Sequence, residues 1–146
     1  MTFSASGPFL TAAFFCESVS TDEDGAITIH RLVDALEFAI PTEAPPDFPS
    51  AESPLIGERV FYLCFKTDSQ EDRYHVKIVC EHPDRTESVV FDGPLEIEPM
   101  HNGCSLALEL TMAFDRPGKR WYRVELDGQM VTRVPLLVFF ERQIVE

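Results

Sequence analysis

Residues 104–114 read "CSLALELTMAF", and no other stretch of the chain alternates so cleanly. Leu106, Leu108, Leu110, Met112 and Phe114 fall on one side of an extended backbone, with Glu109 and Thr111 on the other. A period of two marks a strand with one buried face. Upstream, the aromatic and β-branched "RVFYLCFKT" (59–67) and the alternating "YHVKIVCE" (74–81) read as two more strands, separated by the polar turn "DSQED". In the latter, Tyr74, Val76, Ile78 and Cys80 share a face opposite His75, Lys77 and Glu81. Residues 86–97 give a weaker strand interrupted at "DGP". At the amino end, residues 9–20 and 26–39 form a hairpin around "TDEDGA", its second strand kinked near "RLVDA".

Residues 41–58, "PTEAPPDFPSAESPLIGE", carry five prolines. Proline removes backbone donors and fixes φ, so this stretch is expected to be a long surface connection. No segment shows a capped helical stripe. The expectation is an all-β chain: one domain over residues 1–146, folded as a single antiparallel β-sandwich of immunoglobulin-like topology with about eight strands.

The most basic stretch is "KRWYRVELDGQMVTR", residues 119–133. Tyr122, Val124 and Leu126 alternate inward before Asp127-Gly128, and Leu136 and Val138 alternate inward after it. A strict two-residue turn pairs Leu126 with Gln129 and drives Arg133 onto the core face, which is costly for an unpaired charge. A three-residue turn with a glycine bulge instead pairs Leu126 with Met130, Val124 with Thr132 and Tyr122 with Val134. Trp121, Arg123, Val131 and Arg133 then face outward. Neighbouring Arg123 and Arg133 require an intervening acid, from Glu125 or another carboxylate.

The pattern "PGKRWYRVELDG" followed by "VPLLV", with the opening "FFCESVSTDEDGAITIHRLVDALEF", resembles a family of small uncharacterised bacterial β-sandwich proteins, immunoglobulin-like or C2-like. The likeness covers the first forty and last thirty-five residues or so and is weak between them. It implies a sandwich and supplies no catalytic residue.

The formal net charge is −13, and residues 1–58 hold one basic and ten acidic side chains. Such a chain repels phosphate backbones and anionic headgroups, so neither nucleic acid nor membrane is an expected partner. The apolar "PFLTAAFFC" lacks the positive flank of a secretory signal, since no Lys or Arg precedes Arg31. Cytoplasmic location and reduced cysteines are expected.

Several constellations bear on chemistry. Cys80, His82, His101 and Cys104 form a two-plus-two zinc set, but Cys80 and Cys104 continue the inward alternation of their strands and Cys-x-x-Cys spacing is absent. No metal or cofactor is therefore assigned. "SVSTDEDGAITIHR" matches a calcium loop at Asp22, Asp24 and Gly25, with Arg31 in the place of the bidentate Glu. The alternative reading is a ligand- or calcium-responsive sandwich that binds through its end loops, where Asp22, Glu23 and Asp24 could converge with Asp68, Glu71 and Asp72. No nucleophile elbow or phosphate loop occurs, Glu96 and Glu98 alternate like an exposed strand, and all four cysteines sit in apolar strands where desolvation opposes the thiolate. A non-enzymatic binding or accessory module is the reading these features support. Its predicted contact residues are Trp121, Arg123 and Arg133 on the hairpin face, Lys119 and Arg120 at the preceding turn, and Phe48 of the proline loop, for a protein partner or a second copy. Phe48 has a competing role in covering a sheet edge.

Overall fold

A computed structural model of the protein describes residues 7–68, 73–97 and 103–143. Within them lie nine strands: β1 (Phe9–Thr21), β2 (Ile27–Val33), β3 (Ala35–Ile40), β4 (Leu55–Lys66), β5 (Arg73–Glu81), β6 (Glu87–Glu96), β7 (Gly103–Phe114), β8 (Gly118–Leu126) and β9 (Gln129–Arg142). They form a four-stranded sheet in the order β2-β1-β4-β7 and a five-stranded sheet in the order β3-β9-β8-β5-β6. No described helix is long and apolar enough to cross a membrane.

The inner faces of the two sheets share one hydrophobic core. Phe15 of β1 stacks on Phe61 of β4 at 4.5 Å and meets Tyr122 of β8 edge-on at 4.8 Å, so one aromatic group joins both sheets. Tyr74, Val76, Ile78 and Cys80 are buried in this core, as their alternation predicts. Gly103, where β7 meets Lys66 of β4, stands so close to its neighbour that a Cβ there would lie 1.9 Å from the Phe65 carbonyl oxygen. Only glycine lets the two backbones approach at that point.

Two expectations are corrected. The strand expected over 26–39 is divided at Asp34: β2 pairs with β1, whereas β3 crosses to the other sheet and runs parallel to β9, from Ala35 opposite Leu137 to Ile40 opposite Arg142. The arrangement is therefore not wholly antiparallel. The break serves burial, because Leu36 and Ile40 are buried in their new positions. The Asp34 carbonyl accepts the Leu137 N–H at 3.1 Å, starting the parallel ladder. The second correction is that β4 begins at Leu55, within the stretch expected to be loop, and pairs there with Phe114. The proline connection is correspondingly shorter, and the Arg142 guanidinium ties it down by donating to the carbonyls of Pro45, Pro46 and Phe48.

Candidate protein-interaction face

The β8–β9 hairpin turns through Asp127 (φ 48°) and Gly128 (φ 82°), a left-handed pair matching the two-residue turns that suit strand twist. Asp127 is fixed to β5 from both sides: the His75 N–H donates to its Oδ1 at 2.7 Å, and its own N–H donates to the His75 carbonyl at 2.8 Å. Tyr122 faces Val134, Arg123 faces Arg133 and Val124 faces Thr132, in the expected register. The turn itself differs from expectation. Leu126 pairs with Gln129 and Glu125 with Met130, so the extra residue is Val131, within β9. A bulge anywhere between the turn and Val134 restores the inward alternation, which is why the pattern alone does not place it.

On the outer face, carboxylates surround the two arginines. Arg123 donates to Glu125 at 2.8 Å and to both oxygens of Glu87 at 3.1 and 3.3 Å, and it lies 3.7 Å from Glu81. Arg133 reaches Glu81 at 3.1 Å. Hydrogen bonds to Glu87 and Glu125 raise the pKa of Arg123, and the hydrogen bond from Arg123 holds the Glu87 carboxyl below its ordinary value. A stretch that is basic in sequence is thus close to neutral as a surface, because β5 and β6 bring Glu81 and Glu87 to it.

What the network leaves uncovered is apolar. Trp121, half-buried, has the Arg133 guanidinium 4.4 Å and the Lys119 ammonium 5.6 Å from its ring centre. It pairs with Pro135, and the same face of β9 continues through half-buried Leu137 to Phe139, which is 50% exposed. Leu137 and Phe139 were not singled out in the sequence. The signal was available: with Leu136 and Val138 inward, two large apolar side chains must point out.

Two predicted contact residues stand differently. Arg120 is only 2% exposed. Its guanidinium lies 4.8 Å from the centre of the Phe114 ring and donates to the carbonyls of Gly118 at 3.2 Å and Arg116 at 2.7 Å. Burial lowers its pKa. It is a structural arginine, removed from any contact surface, and the alternation of Tyr122, Val124 and Leu126 carried back two residues puts it inward. Phe48 is half-buried in the connection that Arg142 holds.

Among the described residues, neither metal constellation brings its two halves together. Cys80 Sγ lies 3.9 Å from His82 Nδ1, but His82 Nε2 shares a hydrogen bond with Ser88 at 2.8 Å, and Cys104 belongs to the opposite sheet; His101 lies outside the described residues. Among the described residues, no group of three or more His, Cys, Asp or Glu is placed to hold a metal. Asp22, Glu23 and Asp24 follow the end of β1 at Thr21, whereas Asp68 lies just beyond Lys66, which pairs with Phe9 at the other end. The length of β1, about 40 Å, separates them. Glu71, Asp72 and Glu98 lie outside the described residues.

Burial raises the thiol pKa of Cys16, Cys80 and Cys104, as expected. Cys64 departs from expectation. Burial pushes it up, yet hydrogen bonds with Thr11, Ser105 and Tyr62, together with the charge of Lys66, bring it below its ordinary value.

A solved structure, the Pseudomonas fluorescens alkylpurine DNA glycosylase AlkC bound to DNA containing an abasic site analog, is similar at 6% identity with a TM-score of 0.41. The match covers 87% of this chain and 30% of that one, so the chain spans under a third of its length. No curated protein matches. The family model described as "Family of unknown function (DUF6941)" matches residues 11–139, nearly the whole described chain, and the protein belongs to that family.

Proposed function

We propose that this protein is a non-enzymatic binding module: a single immunoglobulin-like sandwich, working in the cytoplasm, that recognises a protein partner through the outer face of its five-stranded sheet. The observation that supports this reading is the apolar strip Trp121, Pro135, Leu137 and Phe139, bordered by the ion pairs of Arg123 and Arg133. An aromatic centre rimmed by arginine and carboxylate is the composition of interface hot spots. Because Glu81, Glu87 and Glu125 already counter the arginines, affinity comes from the apolar strip, and the rim sets orientation. Lys119 belongs to that rim. The bulk of the chain is acidic, so the partner's flanking surface is neutral or basic.

The experiment is affinity capture from the native host with the wild-type chain beside a Trp121→Ala, Phe139→Ser variant whose folding is checked by circular dichroism. A partner held by the wild type and lost from the folded variant is the expected result. Equal capture of the same partner by both would refute this face as the site.

A further inference from the structure

The two sheets end in four edge strands, and three of them are guarded. β6 carries Pro94 and an extra residue, Val90, that breaks its ladder with β5. β2 is seven residues long and is interrupted by Arg31 at φ 54°. β3 is six residues long and runs directly into Pro41. Short, bulged or proline-bearing edges are how natural sheets avoid pairing with other chains.

β7 has none of these devices. It pairs with β4 over all twelve residues without a shift in register, and among the described residues no strand lies on its other side. Its sequence contains no proline and one charged side chain, Glu109. Alternate residues of such a strand direct their N–H and C=O groups away from β4, in a regular row ready to pair. The side chains tell the same story. Met112 and Phe114 are buried, but Leu106, Leu108 and Leu110, on the same inward face, are only half-buried. They line the margin of the core, where none of the described strands covers them.

We propose that β7 is the seam of a homodimer, pairing antiparallel with β7 of a second copy. The occupant is argued from self-complementarity. Directly opposed residues must share a sheet face, so a two-fold seam centres on a residue. Centred on Leu108, it sets Leu108 against Leu108 of the partner subunit, Leu106 against the partner's Leu110, and Ser105 against the partner's Thr111. Every half-buried leucine then meets a leucine, and Glu109 meets the partner's Ala107. Centring one residue later would oppose the two Glu109 carboxylates, a repulsive arrangement. The Leu108 register thus completes the core margin and separates the only charges on the strand. This seam lies on the other sheet from the proposed interaction face and leaves that face free.

The test is the mass of the full chain in solution by sedimentation equilibrium. The wild type is expected at about twice the chain mass of 16.5 kDa at micromolar concentration. Leu108→Lys, which opposes two ammonium groups at the axis, is expected to be a monomer with an unchanged circular dichroism spectrum. Ala107 is exposed, so substitutions there report register without risk to folding. Ala107→Lys, opposite the partner's Glu109 in two symmetric pairs, is expected to tighten the dimer about fivefold, and Ala107→Glu to weaken it about as much. A monomeric wild type overturns the proposal, as does a dimer indifferent to Leu108→Lys and to both charges at 107.

Discussion

The two faces of β8 use arginine for opposite purposes. Arg120, on the inner side, gives its guanidinium to two backbone carbonyls and an aromatic ring, and closes the core where β7 turns into β8. Arg123, three residues on and on the outer side, gives its guanidinium to carboxylates from its own strand and from β5 and β6. The inner arginine is itself buried and ties two backbone carbonyls to the core side, so its loss is felt by folding. The outer one trades water for carboxylate at a partly exposed site, where the net gain is small. Arginine content alone therefore says little about a binding surface; the strand face on which each residue falls decides.

This contrast is open to measurement. The largest effect is expected from Arg120→Ala, which leaves the Gly118 and Arg116 carbonyls without their donor and a void against Phe114; urea denaturation should show a loss of about 3 kcal/mol. A loss as small as that of an exposed substitution would erase the distinction between the faces. Arg123→Met should cost about 1 kcal/mol, and less in high salt, because its partners remain hydrated. Trp121→Ala should lower stability by no more than about 1 kcal/mol, since the side chain is only half-buried and its ring neighbours are the cations of Arg133 and Lys119. A much larger loss would mean that Trp121 belongs to the core rather than to a contact surface.

The smallest effect lies in the pH dependence. The Glu87 carboxyl titrates below its ordinary value because Arg123 donates to it. Its contribution is therefore fully present above the ordinary carboxylate range and is lost as pH falls through the lowered value. Acid titrations of the wild type and of Arg123→Met should differ in that window and run parallel above it. Curves parallel throughout would show that the pair does not form in solution.

Where two-residue alternation holds, the sequence reveals the structure closely. The strands around Val76, Leu108 and Val124, the outward placement of Trp121, Arg123 and Arg133, and the need for acids between the arginines all follow from parity and charge. Parity is silent on partners. Nothing local in "RLVDALEF" tells a kink within one sheet from a crossing to another, because Leu36 and Ile40 find their burial against residues about a hundred positions later. The acids of the outer face were equally hidden, since Glu81 and Glu87 reach Arg123 only once β5 and β6 lie beside β8 in that order. Arg120 is a different failure. Its parity was readable, but a charged residue at a strand's start reads as solvent-facing unless carbonyls are known to await it.

The proposed recognition surface is the apolar strip on the outer face of the five-stranded sheet. Trp121 is the single tryptophan of the chain, so replacing it with 5-fluorotryptophan places one fluorine reporter on that strip. Titrating the captured partner while recording the fluorine resonance should give a saturable shift, with the midpoint moved at least about tenfold higher by Phe139→Ser. A complex that forms while the resonance stays at its free position would rule the strip out as the contact surface.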